Sequence, residues 1–344
     1  MQSLFPYTFS VTRIMPQNGA GMIAKSVVAT LFFLSVLPTI AQTKPAIPTT
    51  PSAPSTFATS APPVAQSSAA TAPGPLPTSV LPVYEVFAIR YASIPDFPIN
   101  ALIAGADPQR KFSIAMTVWL IRGNGRNILV DSGFYRPQFF KEFKVEGFIK
   151  ASEAVGQPGI MPAGQPALTP EDITDVIITH MHWDHADGMD LFPRARIWLQ
   201  KDEYTYYTGE AWQSPRNHGG IEPEDVLAAV KLNLAGRVSL VPGDAQEILP
   251  GITCYTGGKH TFQSQYVGVN TKAGIVILAS DNMYLYENLE KHVPIAQTLD
   301  AVSNLHAQDR MKTLAASPRL IVPGHDPAVF EKFPKVSERV VRIE

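Results

Sequence analysis

The residues best suited to chemistry are gathered in one hexapeptide, His180-Met-His182-Trp-Asp184-His185, with three imidazoles and a carboxylate in six positions. It follows the apolar run Asp175-Val-Ile-Ile-Thr179, which reads as a buried strand. In extended backbone, residues two apart point the same way. His180 and His182 can therefore grip one cation while the turning chain aims Asp184 and His185 at a second. Zinc is the default ion for such nitrogen and oxygen donors, and cobalt, manganese or iron also fit. A single loop histidine is ordinarily solvated or hydrogen-bonded without metal. Several packed together lose stability on protonation unless a cation organises them, so the cluster reads as a metal site.

Three further donors stand just past strand-like segments. His260 follows Ile252–Thr256 and Gly257-Gly258-Lys259, Asp281 ends the run that begins at Ile275, and His325 follows Leu320-Ile-Val-Pro-Gly324. Active sites of layered α/β folds commonly sit beyond such strand ends, so one convergent centre is predicted. Asp131, in Leu129-Val-Asp131-Ser-Gly133, reads as a residue that orients a ligand histidine or pins the turn at Gly133, not as a ligand.

Taken together, Leu129–Gly133, the HxHxDH motif at 180–185, His260, Asp281 and His325 resemble the metallo-β-lactamase superfamily, over nearly all of residues 83–330. That resemblance implies an α/β fold, the αββα four-layer sandwich, and two divalent metal ions, zinc by default. It implies His180, His182 and His260 on one metal, Asp184, His185 and His325 on the other, and Asp281 bridging them. The zinc β-lactamases that use a cysteine ligand place it where this chain has Asp281, and Cys254 stands elsewhere. Flavodiiron proteins carry Glu at the place of His182 and append a flavin domain, and the RNA-processing branch needs inserted domains for which there is no room.

The segment Ser280-Asp281-Asn-Met-Tyr284 is similar to the N-acyl homoserine lactonases of this superfamily, which carry a tyrosine three residues after the bridging Asp, facing the metals. This implies a catalytic role for Tyr284. The expected reaction is lactone opening by a metal-bridging hydroxide, with Tyr284 hydrogen-bonding the carbonyl oxygen and Asp184 as proton shuttle. The same metal site would serve an aryl esterase, a phosphotriesterase or a glyoxalase II-like thioesterase. A metal-stabilised binding module is the non-catalytic alternative, and the completeness of the donor set argues against it. The chain departs from the family at Gly258-Lys-His260-Thr-Phe-Gln-Ser264, where His-Thr-Pro-Gly-His is frequent, and at Ala186-Asp187-Gly188, where a Gly-Gly pair is usual. Both changes bear on the pocket and not on the donors.

The elements that must position these residues are short and alternate in type. Strands are predicted at 83–89, 116–121, 127–130, 175–179, 196–200, 238–241, 265–269, 275–279 and 320–322, several of them continuous apolar runs that suit strands covered on both faces. Helices are predicted at 136–154, 201–208, 223–234 and 299–315. His218, in a polar loop, reads as a surface residue, and His292 and His306 read as structural. Phe134, Phe139, Phe140, Phe143 and Phe148 with Met161 read as core, with an acyl-chain pocket as the alternative.

Of 344 residues, 31 are proline, 17% are charged and one is cysteine, and the net charge is -2. Residues 1–82 contain Arg13, Lys25 and Lys44 but no acid, and hold ten prolines between Pro45 and Pro82. The remainder, 25 cations against 30 anions, is mildly acidic. A nucleic-acid partner that needs a basic surface is thereby disfavoured, and a small-molecule ester or lactone is the expected partner, with a homodimer left open. The apolar run Ser26–Ala41 follows Lys25 and ends in small residues, which fits a signal peptide over 1–41. Met22 would open a signal of ordinary length, so 1–21 reads as an over-extended start. Pro38 interrupts the run, which is short for a span of about 20 apolar residues, so no stable membrane anchor is expected. Residues 42–82 read as a disordered Pro/Ala/Ser/Thr linker, residues 83–344 as the hydrolase domain, and the location as secreted or periplasmic.

Overall fold

The computed structural model describes residues 81–216 and 218–344. The signal-peptide expectation for 1–41 and all but the last two residues of the linker expectation for 42–82 lie outside the described residues. Among the described residues no helix is long and apolar enough to cross a membrane.

The first half of the domain supplies β1 (Glu85–Pro98), β2 (Lys111–Gly123), β3 (Arg126–Val130), β4 (Asp175–Ile177), β5 (Arg196–Gln200) and β6 (Val238–Val241). The second half supplies β7 (Gln246–Leu249), β8 (Ile252–Thr256), β9 (Gln265–Thr271), β10 (Gly274–Ser280), β11 (Ile321–Pro323) and β12 (Val340–Ile343). They form a seven-stranded sheet in the order β12-β1-β2-β3-β4-β5-β6 and a five-stranded sheet in the order β11-β10-β9-β8-β7. β3, β4, β5 and β6 run parallel, β10 and β11 run parallel, and the other neighbours are antiparallel.

Alternation along the strands explains why their apolar runs are unbroken. On β1 and β3, Val86, Ala88, Ile128 and Val130 enter the layer between the sheets with Trp119, Val267, Val276 and Leu278. Phe87, Ile89 and Leu129 face the opposite way, into a second cluster. The helices on that side include α1 (Phe139–Glu142), α2 (Ala151–Ala154), α3 (Trp183–Ala186), α4 (Lys201–Tyr207) and α5 (Pro223–Leu234). Ile277 and Ala279 of β10 pack outward beneath α6 (Tyr286–Lys291) and α7 (Ala301–Leu314). The result is the αββα four-layer sandwich. Each fully buried Ile or Leu of these layers contributes about 1.5–3 kcal/mol. α8 (Val329–Lys332) lies against the inter-sheet cluster through Val329 and Phe330.

Local chemistry accounts for the helix ends. α5 opens on Pro223, whose missing N–H costs nothing at that position, with Glu224 and Asp225 on its first turn. α7 starts at Asp300, whose side chain accepts from the backbone of Val302 and Ser303 at 3.0 and 3.1 Å, a cap of about 1 kcal/mol.

The expected helix over 136–154 is not formed; only α1 and α2 are helical in that stretch. Gly147 between them has φ 59°, and Glu146 and Ile149 hydrogen-bond to the Ser93 and Tyr91 backbones of β1 at 2.8 and 2.9 Å. The apolar spacing there serves a strap laid across β1, where tertiary pairing overrides helical pattern. β7 and β12, absent from the sequence-based expectation, are four-residue strands completed by pairing with β8 and β1.

Candidate metal centre

The donors sit at one end of the sandwich because the strands preceding them all deliver their last residues there. His180 follows β4, His260 the end of β8, Asp281 the end of β10 and His325 the end of β11. Two residues beside the centre, Asp131 and Ser280, are non-glycines at φ 61° and 47°. This conformation costs on the order of 1 kcal/mol, and a shared network offsets it. Asp131 accepts from the Thr179 backbone at 2.8 Å, from Thr179 Oγ1 and Ser280 Oγ at 3.0 Å each, and from His185 Nδ1 at 2.8 Å. One buried carboxylate thus ties the ends of β3, β4 and β10 to a histidine of the motif. Gly324 is required by close approach, since a Cβ there would lie 2.7 Å from Asp281 Oδ1.

All seven side chains singled out in the sequence converge. They fall into two groups, His180, His182, His260 and Asp281 in one and Asp184, His185, Asp281 and His325 in the other, with donor atoms in each group within 4.8 Å of one another. His182 Nδ1 lies 3.2 Å from His180 Nε2 and 2.8 Å from His260 Nε2. Asp281 stands between the groups. Its Oδ2 is 3.3 Å from both His260 Nε2 and His185 Nε2, and its Oδ1 is 3.0 Å from His325 Nε2. Asp184 Oδ2 faces His185 and His325 at 3.4 and 3.6 Å.

The far nitrogens decide what the near ones present. His260 Nδ1 donates to the Gln297 carbonyl at 2.7 Å, His325 Nδ1 to the Ala115 carbonyl at 3.0 Å, and His185 Nδ1 to Asp131. Thr179 Oγ1, itself a donor to Asp131, can accept from His180 Nδ1 at 3.0 Å. With these protons assigned from the network, the inward nitrogens of His180, His185, His260 and His325 offer lone pairs to one another and to carboxylate oxygens. Such an arrangement is repulsive until a cation sits among the donors. Accordingly, the buried His185 Nε2 and Asp281 Oδ1 have no hydrogen-bond partner among the described residues.

The electrostatics divide along the same line. Burial, with the neighbouring imidazoles, pushes His180 well below its ordinary range and His182 down to about 3, so both are neutral donors at pH 7. At His185 and His325 burial also disfavours charge, but Asp281 and Asp184 outweigh it and raise both. Burial likewise opposes the charge of Asp281, and His185 and His325 override it to hold the carboxyl well below the usual range. The negative field that would put protons on His185 and His325 is the field that attracts a dication. Residues and electrostatics together fit two metal ions.

A cavity of about 160 Å3 opens onto the centre, with Asp184, Asp281, Tyr284 and His325 on its polar side and Ile94, Phe97, Ile114, Met116, Phe143 and Trp183 on its apolar side. The Tyr284 ring lies between the groups, 5.5 Å from His260 and 5.8 Å from His325 by ring centroids. Burial, then the charges of Asp281 and Asp184, keep its phenol well above 10, so it remains a hydrogen-bond donor. Of the aromatic series, Phe143 reaches the cavity wall, while Phe134 and Phe139 are core and Phe140 is 39% exposed. Phe139 and Phe143 stack on Trp183 at 4.2 and 5.1 Å.

His218 is half-buried, stacked on Trp212 at 4.4 Å, and lines a second groove beside His182 and His260. His306 is exposed, and His292 pairs with Asp309 at 3.1 Å away from the centre. Cys254 is buried between the sheets. Sequence reasoning missed Ala115 and Gln297, which act through backbone carbonyls and so leave no trace in residue type. Thr179 and Ser280 could have been suspected as hydroxyls adjoining donors.

Comparison with known proteins agrees with this architecture. The chain is 27% identical over 226 residues to an N-acyl homoserine lactonase of Bacillus cereus, spanning 64% of this chain and 84% of that protein. An N-acyl homoserine lactonase from a Bacillus species is 31% identical over 159 residues, 46% of this chain and 57% of the relative. The crystal structure of a quorum-quenching N-acyl homoserine lactone lactonase shares the fold with a TM-score of 0.55 at 22% identity, covering 71% of this chain and 93% of that one. A probable metal-dependent hydrolase from Staphylococcus aureus does so with a TM-score of 0.56 at 16% identity, covering 72% and 91%. The family pattern described as the metallo-beta-lactamase superfamily matches residues 116–325, a stretch that starts on β2 and ends on the last histidine of the centre. The chain therefore belongs to the metallo-β-lactamase superfamily.

Proposed function

We propose that this chain is a two-metal hydrolase that opens lactone rings, with N-acyl homoserine lactones as favoured substrates and zinc as the default ion. The observation that carries the reading is Tyr284 on the cavity wall, its ring beside His260 of one donor group and His325 of the other and its hydroxyl 3.4 Å from His260 Nδ1. The names borne by the relatives at 27% and 31% identity support it, and the apolar side of the cavity suits an acyl chain. His180, His182 and His260 would hold one ion, Asp184, His185 and His325 the other, and Asp281 both. When bound, such ions supply Lewis acidity and an acidified water nucleophile at neutral pH.

The chain's own side chains do the rest. Tyr284, protonated throughout the working range, donates to the oxygen on which negative charge develops. Asp184, on the cavity wall, can carry a proton to the departing ring alkoxide. Phe97, Phe143 and Trp183 exclude water and receive the acyl group. Tyr91 fixes the Asp184 backbone through a hydrogen bond to its carbonyl at 3.0 Å. Residues 1–41 are proposed to direct export and 42–82 to tether the domain. Recovery of unprocessed chain from the cytosol alone would refute that part.

The deciding experiment compares catalytic efficiencies of the metal-loaded protein on short- and long-chain acyl homoserine lactones, a phosphotriester, an S-acyl glutathione and a chromogenic β-lactam. The lactones are expected to lead. A phosphotriester or thioester ahead of every lactone would overturn the substrate assignment while leaving the hydrolase reading in place.

A further inference from the structure

Glu203 belongs to neither donor group, yet its side chain is fully buried. α4 begins directly after β5, and its inward face carries Glu203 and, one turn later, Tyr207, whereas Asp202 and Thr205 face solvent. The partners of the carboxylate come from two loops. Oε1 accepts from the Met181 backbone N–H at 3.1 Å and from Thr261 Oγ1 at 2.7 Å, and Oε2 accepts from the Gln263 backbone N–H at 2.6 Å. Tyr207 reinforces the same grip, its hydroxyl accepting from the Phe262 backbone at 3.3 Å.

Met181 lies between His180 and His182, and Thr261 follows His260. One carboxylate thus joins the two segments that bring three imidazoles to one point, and it touches nothing in the other group. Charge points the same way. Asp184 and Asp281 stand among the donors and Asp131 behind His185, whereas Glu203 is the carboxylate beside the His180–His182 and His260 segments.

We infer that Glu203 is a positioning residue for the three-histidine cluster, setting the register between the His180–His182 and His260 loops and balancing the charge of the ion they hold. The inference rests on the two-ion reading. In Glu203→Gln the side chain keeps its shape, but its amide nitrogen must face either the Met181 N–H or the Gln263 N–H, so one backbone donor goes unmatched whichever way the amide turns. Outer-shell changes of this kind weaken a metal about 10- to 100-fold.

The test loads the full chain with cobalt(II) and follows metal content and visible absorption against rising chelator concentration. Wild type, E203Q, Thr261→Val and Met311→Ala are compared, Met311 being a buried residue of α7 in a separate cluster. E203Q is expected to release one ion at chelator concentrations about 10- to 100-fold lower than wild type, with the other unchanged; T261V should shift that same ion less. M311A should lower thermal stability and leave both release steps in place. Wild-type release by E203Q overturns the inference even if its stability drops, as does release of both ions in step. If E203Q does not fold, T261V decides, and wild-type release by that variant overturns it. A wild-type protein that binds fewer than two ions would defeat the two-ion reading itself, a result distinct from failure at Glu203.

Discussion

Replacing Asp131 by asparagine tests the logic of the centre with least disturbance to the chain. Asn tolerates the left-handed backbone of this position, and the two side chains have nearly the same shape. One oxygen can still accept from the Thr179 N–H, and the Thr179 and Ser280 hydroxyls can turn round and accept from the new amide. The His185 Nδ1–H, 2.8 Å from Asp131 Oδ2, has no such freedom, because it would meet an N–H. The imidazole resolves this by giving up the Nδ1 proton and carrying one on Nε2, the atom that faces Asp184 and Asp281 at 3.4 and 3.3 Å. A protonated nitrogen is no ligand, so metal binding must reverse the tautomer and forgo a charge-assisted hydrogen bond of about 1.5–3 kcal/mol. At about 1.4 kcal/mol per decade, the ion held with His185 should bind about 10- to 140-fold more weakly. The metal-free protein loses far less, since His185 Nε2–H can donate to either aspartate. Chelator titration should therefore show one weakened ion, and thermal unfolding a larger Tm drop with zinc than without. Equal drops in both forms, or wild-type retention of both ions, would show that Asp131 does not act through the tautomer.

Other consequences are as direct. Asp281→Asn should leave at most one ion per chain by metal analysis and remove most activity; two ions retained would sink the bridging assignment. Tyr284→Phe should keep both ions while kcat falls about 100-fold or more, and wild-type kinetics would remove the phenol from the mechanism. Its pKa is raised, so the folded protein binds the phenolic proton more tightly than the unfolded chain and stability falls as pH rises past 10. Tyr284 should therefore produce no descending limb in the kcat profile below pH 10. Chelation should lower Tm, and added zinc should restore it, the stability gained being about 2.7 kcal/mol per site at a hundredfold excess over Kd. A Tm indifferent to both would refute a metal-stabilised fold.

The reach of sequence reasoning is visible in particular elements. α5 spans 223–234 as its Pro start and acidic first turn predict, and β5 and β6 have their expected bounds, because period and caps are local properties. The stretch 136–154 failed for the opposite reason. Its aromatic spacing suits a helix, yet its backbone partners are on β1. Glu203 would pass for a solvated acid on a short helix, and only the packing of α4 against two loops makes it a buried anchor.

By itself, the sequence determined the donor types, their grouping at strand ends and the layered class, since residue chemistry and strand alternation are written in adjacent positions. Tertiary structure alone decided which histidine Asp131 holds, which oxygen of Asp281 faces each group, and which nitrogen of each imidazole turns inward. Those facts depend on atoms brought together from distant stretches of chain, as His182 and His260 are, and on backbone carbonyls such as those of Ala115 and Gln297. A carbonyl accepts a hydrogen bond whatever side chain it bears, so its part in the centre exists only once the strands have paired.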